Sequence, residues 1–318
     1  MKKLTNNTSL GKIILLCNVL VLVLFIISML QLMKFDKTNN AVIDERSGYN
    51  KLYEAYVTAQ HPLRQDSAEV AYYQYKLDTL QQKTVTDKEA KKALADNIEV
   101  TKQTLADKKK QQEKDLASVA ELEKEYNPAY EKWQKLNADN ESAKKGFIIW
   151  ACITALAFLV KTFLFAKWGA ANNKNLHQIA PWMKSGMQPW KAYLAWFVPV
   201  YNLIKPLSFY KELWNETDYA LENVGVETRD ENAIDNSNLY MSIWWAFLLC
   251  SVWLMNLILF GTFFREGALF VKANHTAMVI IAIVIMLVTM CIETLIILNY
   301  NKKNLKLIEN EDKFDAVK

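Results

Sequence analysis

Lys161 and Glu293 each interrupt a long apolar run. Lys161 lies within 147–168, FIIWACITALAFLVKTFLFAKW, and Glu293 within 276–299, TAMVIIAIVIMLVTMCIETLIILN. An ionisable group in hydrocarbon costs several kcal/mol unless it is paired or reaches water, so each is a functional-site candidate by default. If both runs cross the membrane in the same direction, the two residues sit at similar depth in the half nearer the run's end. A Lys161–Glu293 ion pair is then expected. The plainer alternative is that each snorkels separately to the near interface. Asn18 and Asn256 are read as contacts between helices rather than as ligands.

Other catalytic chemistry is sparse. Glu212 and Glu216 fall four apart on one helix face, where paired carboxylates could exchange a proton; a solvated acidic face explains them as well. The three histidines, His61, His177 and His275, lie far apart. No His-Glu-x-x-His, Walker, Gly-rich dinucleotide or Gly-x-Ser-x-Gly pattern occurs. Cys17, Cys152, Cys250 and Cys291 all fall in apolar runs, where a thiol behaves as a small hydrophobe; their spacing fits no zinc site. No catalytic residue, cofactor or metal is expected, and the chain reads as non-enzymatic. The net charge of +4 comes from lysines interleaved with acids, which argues against nucleic acid as a partner.

The elements that position these residues follow from segregation of the composition. Mean hydropathy is only -0.04, yet the polar residues gather in 34–145 and the apolar runs in 13–33 and 147–299. That separation marks a membrane protein. Residues 13–33 carry no charge, and about 20 helical residues cross a hydrocarbon core of about 30 Å. A signal peptide is the rival reading. It is opposed by the length of the run and by the lack of a small-residue cleavage site in Gln31-Leu32-Met33-Lys34-Phe35. The third and fourth spans are 240–264 and 276–299. Residues 190–205, WKAYLAWFVPVYNLIK, hold Pro199 near their middle. Proline frees backbone carbonyls that need partners in lipid, so this stretch is read as interfacial or re-entrant, with a fifth span as the alternative. Lys302, Lys303 and Lys306 after the last span, and Lys2, Lys3 and Lys12 before the first, put both ends in the cytoplasm. The membrane would be a bacterial inner membrane, with 34–145 facing outward.

Residues 34–145 hold one glycine, Gly48, and two prolines, Pro62 and Pro128. Apolar residues recur at helical spacing: Val70, Tyr73, Leu77 and Leu80, then Ala90, Leu94, Ile98 and Leu105. Such stripes predict an antiparallel, coiled-coil-like hairpin. Asp66-Ser67-Ala68-Glu69 resembles a helix-capping box, and Thr86-Asp87-Lys88-Glu89 fits one better, which places the turn before Thr86. Tyr49, Tyr53, Tyr56, Tyr72, Tyr73 and Tyr75 exceed what one seam can bury. An exposed strip of them would favour a protein partner over a plain spacer.

The densest pattern runs from Trp168 to Trp214. Trp168-Gly169-Ala170-Ala171-Asn172-Asn173 is followed by Pro181-Trp182 and Trp190. Next come Trp196-Phe197-Val198-Pro199-Val200-Tyr201-Asn202-Leu203-Ile204-Lys205-Pro206 and Lys211-Glu212-Leu213-Trp214. This resembles the bacterial membrane family known as domain of unknown function 4328, across 168–214 most specifically and 147–300 more loosely. The insert 34–145 departs from that family, which has a short loop there. The resemblance implies a membrane fold and no activity. Read physically, tryptophans favour the headgroup region, Asn202 could bond the carbonyls that Pro199 frees, and Pro206 could start a helix carrying Glu212 and Trp214. The motif Trp168, Asn172, Trp190, Trp196, Pro199, Asn202, Pro206, Glu212 and Trp214 is either a rigid platform or the lining of a cavity.

The expectation is an all-α polytopic bundle of about four spans plus an interfacial segment and a long helical hairpin. Its parts are 1–33 as anchor, 34–145 as hairpin, 146–300 as membrane domain and 301–318 as tail. Function reads as a scaffold that binds a partner through the hairpin. The alternative is a small-solute or lipid-handling protein with a Trp/Pro/Asn-lined cavity.

Overall fold

A computed structural model describes residues 4–181, 188–198, 200–227, 236–263 and 269–315. The described residues form α1 (Thr8–Gln81), α2 (Lys88–Ile179), α3 (Lys191–Phe197), α4 (Lys205–Asn223), α5 (Asn236–Phe263), α6 (Leu269–Glu309) and α7 (Glu311–Asp315), with a 3-10 turn at Tyr201–Leu203. No strand occurs among them. The chain divides into two compact units: Met1–Asp36 with Ala143–Lys318, and Lys37–Ser142.

In the unit Lys37–Ser142, α1 and α2 run antiparallel. Thr38 bonds Asn140, Glu45 meets Lys132, Ser67 meets Gln112 and Glu69 meets Lys108, so one number rises as the other falls. Leu77, Leu105 and Val119 are buried in the seam; burying such a side chain is worth about 1.5–3 kcal/mol. Rings take over where the aliphatic residues run out. Tyr49 stacks on Trp133 at 4.7 Å and Tyr56 on Tyr126 at 4.6 Å. The expected exposed strip is thus split. Tyr49, Tyr53 and Tyr56 join this ladder, while Tyr72 and Tyr75 stay 60% and 72% exposed.

Two local readings change. The cap of α2 is Asp87, whose carboxylate accepts the Ala90 N–H at 3.2 Å, and not Thr86. Asp66–Glu69 is no helix start: α1 continues through Pro62 and beyond it. Ser67 donates to the Leu63 carbonyl and accepts from Gln112 across the seam. A local capping preference gives way when the preceding turn and the neighbouring helix offer the hydroxyl other partners.

The unit formed by Met1–Asp36 and Ala143–Lys318 contains the apolar parts of α1 and α2, with α5 and α6. Four helices are long and apolar enough to cross a membrane. A helix obeys the rule of hydrocarbon because it satisfies its own backbone. These segments are apolar all round, and their outward residues, such as Leu16, Leu156, Val252 and Ile280, are exposed. In a membrane those faces meet acyl chains. α1 and α6 run antiparallel. Asn301 packs where a side chain on Gly11 would collide with it, and at the other end Asp36 lies 3.6 Å from His275 Nδ1. Ser28 and Thr154 hydroxyls meet at 2.7 Å and tie α1 to α2. Asn256, expected to do such work, is exposed and bonds back to Val252 of its own helix.

α3 settles the ambiguous stretch. It has 7 residues, about 10 Å of helix against a core of about 30 Å, so it does not cross. Among the described residues, 190–205 forms no helix long enough for the fifth-span alternative. Pro199 lies outside the described residues. α4 follows with Pro206 in its first turn, where a missing N–H does no harm.

In the hairpin, burial raises the pKa of the Asp66 carboxyl above the ordinary aspartate value, and the hydrogen-bonded carboxylate of Asp115 raises it further. The folded state therefore disfavours the charged form. Stability from this pair is intact below the ordinary aspartate range and falls as pH rises through the raised value. Asp66→Asn is predicted to lessen the drop in thermal midpoint between pH 4 and pH 7, followed by circular dichroism. An unchanged drop would contradict this.

Candidate functional site

The site grows from one face of α2 at the end of its span. Lys161 and Glu293 are both buried, at 4% and 0% exposure, and Lys161 Nζ lies 2.6 Å from Glu293 Oε2. The pair forms directly; neither residue snorkels. The Trp244 indole N–H from α5 donates to the same oxygen at 3.3 Å. Lys161 also faces the Phe158 and Phe165 rings at 5.4 and 5.9 Å, a favourable seat for a cation out of water. Glu293 Oε1 is buried and has no hydrogen-bond partner among the described residues.

One turn on from Lys161, Phe165 becomes the hub of an aromatic core. Its ring centroid lies 5.5 Å from Trp168, 5.9 Å from Trp196, 4.7 Å from Tyr210 and 5.7 Å from Trp244. Four helices meet there. Gly169 lets α4 approach α2: a side chain at that position would come within 2.9 Å of the Tyr210 ring. Tyr210 then donates to the Phe165 carbonyl at 3.0 Å. Its phenol, deeply buried, is pushed well above its ordinary pKa by desolvation and acts as a fixed donor.

Beyond the rings lies a layer of amides. The Trp168 indole donates to Asn301. Asn7 donates to Asn172 at 3.0 Å. Asn175 holds the backbone of Thr5 at two points, accepting its N–H at 3.1 Å and donating to its carbonyl at 2.7 Å, and also reaches Asn304. The segment before α1 is clasped in this way against α2.

The remaining motif residues scatter. Trp190 is 54% exposed. Trp196 packs edge-on against Trp244 and Trp245. Asn202 closes its turn through its backbone N–H to the Val198 carbonyl; the carbonyl of Leu203 is taken by the Trp245 indole at 2.8 Å, a partner that sequence reasoning missed. Trp214 is buried beneath Lys303, whose Nζ is 5.2 Å from its ring. Glu212 and Glu216 are half-buried. Trp168, Trp196 and Trp214 thus contribute to packed aromatic contacts. A cavity of about 250 Å³ opens beside Trp214, lined also by Tyr240, Met241, Leu295, Ile296 and Asn299.

Sequence reasoning also missed Trp244 as the third member of the ion-pair cluster, and the amides Asn175, Asn301 and Asn304. The signal was present as two asparagines one helical turn apart at the ends of two spans.

Four apolar helices around a buried charge pair and an aromatic core define a multi-pass α-helical membrane protein. The family "Domain of unknown function (DUF4328)" matches residues 137–301, just over half of the 318 residues, and the chain belongs to that family. No match was found among curated proteins or among solved structures.

Removing one partner of a buried ion pair costs about 3–5 kcal/mol. Lys161→Met and Glu293→Gln are each predicted to lower the thermal midpoint in detergent markedly. The exchanged pair Lys161→Glu with Glu293→Lys should be damaged less than either. Equal damage in all three would refute the pairing as the reason for the charges.

Proposed function

We propose that this protein is a non-enzymatic scaffold of the bacterial cytoplasmic membrane, with the hairpin Lys37–Ser142 as the arm that binds a protein partner outside. The observation that carries the reading is the exposure of Tyr72 and Tyr75, which lie outside the stacked ladder of Tyr49, Tyr56, Tyr126, Tyr130 and Trp133; Tyr72 meets only the edge of its neighbour Tyr73. Tyrosine is enriched at protein contacts. The orientation rests on Lys302, Lys303 and Lys306 following the last span. Within the membrane unit, Lys161, Trp244, Tyr210 and Trp168 bond to groups of the chain itself, which suits support better than turnover.

The test places a photo-crosslinking residue at position 72 or 75 of the full chain in native membranes. Discrete adducts are expected there, and none at exposed Glu113. Deleting 40–140 should abolish co-purification of the same adducted protein while insertion into the membrane persists. Equal labelling at all three positions, or an unchanged set of co-purifying proteins after the deletion, would sink the reading.

A further inference from the structure

Four buried side chains with polar atoms, one from each span, fall near one level of the bundle: Asn18 from α1, Lys161 from α2, Trp244 from α5 and Glu293 from α6. The last three are in contact. The level of Asn18 follows from the pairing of α1 with α6. Gly11 abuts Asn301 at one end and Asp36 faces His275 at the other, so the two antiparallel helices advance residue for residue. The step from Gly11 to Asn18 is matched on α6 by the step from Asn301 back to Thr294, one residue from Glu293. Val21 and Met290, one turn further along each helix, share the next hydrophobic cluster, as this register requires.

Asn18 is 2% exposed, and neither its Oδ1 nor its Nδ2 has a hydrogen-bond partner among the described residues; the same holds for Glu293 Oε1. A buried polar atom without a partner costs about 1–3 kcal/mol, and more when it is charged. Here three such atoms fall at one depth of a membrane bundle. Asn18 can donate and accept, whereas a carboxylate oxygen only accepts. A molecule that donates to Glu293 Oε1 and accepts from Asn18 Nδ2 satisfies two of these three atoms. The smallest species that does so is water, which needs only about 10–15 Å³ of free volume and two to four polar partners.

We propose that the layer of Asn18, Lys161, Trp244 and Glu293 is a binding site for an internal water molecule, held between Asn18 and Glu293 Oε1. The water completes the solvation of the Glu293 carboxylate that Lys161 and Trp244 begin. It couples α1, which contributes no charge to the layer, to the ion pair. Asn18 is a positioning residue acting on Glu293 through that water.

The full-length protein in lipid nanodiscs tests this by infrared difference spectroscopy in ordinary and oxygen-18 water. An O–H band of the wild type should shift with the isotope and vanish in Asn18→Leu, together with a shift of the Glu293 carboxylate band. Glu293→Gln should abolish or displace the same water band. Asn256→Leu, on an exposed face, should leave both bands unchanged. Should Asn18→Leu alter the carboxylate band with no isotope-sensitive component, the two side chains bond directly and the water site is refuted. If it alters neither band, Asn18 is not at this layer and the site is equally refuted. Because the readout is spectroscopic and wild type is compared with a folded Asn256→Leu control, failure here leaves the scaffold reading standing.

Discussion

A lysine and a glutamate in contact within hydrocarbon are each other's solvent. Neither can leave without stranding a charge in a medium that barely hydrates it, so the contact acts as a lock on geometry. Lys161 and Glu293 sit on α2 and α6, and Trp244 of α5 bonds to the same carboxylate oxygen. Three helices are thereby fixed in rotation and in height. Apolar contacts alone would specify this poorly, since lipid tails are as greasy as the helix faces and give no drive to associate.

From that fixed height the aromatic core follows. Phe165 stands one turn beyond Lys161, and the rings of Trp168, Trp196, Tyr210 and Trp244 close on it. The stretch from Trp168 to Trp214, with Trp244 and Trp245 of α5, supplies the parts of this brace. Gly169 admits α4, Tyr210 ties it to α2, and Trp245 caps the carbonyl of Leu203, where the chain turns before entering α4. The asparagines beyond Trp168 continue the same logic in polar form, fastening the segment before α1 to the ends of two spans.

Much of this was legible in the sequence, for physical reasons. The spans are legible because hydrocarbon tolerates few alternatives to a self-bonded helix. The charge pair is legible because ionisable residues are so rare inside such runs that Lys161 and Glu293 have few other partners to choose. The tryptophans are less so. A tryptophan suits a wet interface and a dry core equally, and only packing separates exposed Trp190 and Trp253 from buried Trp168 and Trp244. The same ambiguity hid the helix contacts: Asn256 looked like the interhelical bond, but Ser28 and Thr154, far weaker signals, make it. Asp66–Glu69 has the letters of a helix start and none of the context, because the opposite leg supplies Gln112 and Asp115 as neighbours. The shortness of α3 could not be read from hydropathy, which counts grease and not turns.

The ring of Phe165 is caged on several sides at once. Interiors packed at crystal-like density leave no room for an aromatic ring to turn unless its neighbours move together. Its half-rotation would therefore require α2, α4 and α5 to draw apart for an instant, bringing Trp196 with them. The frequency of that rotation, accessible to relaxation measurements on a labelled phenylalanine, would serve as a clock for the breathing of the whole bundle.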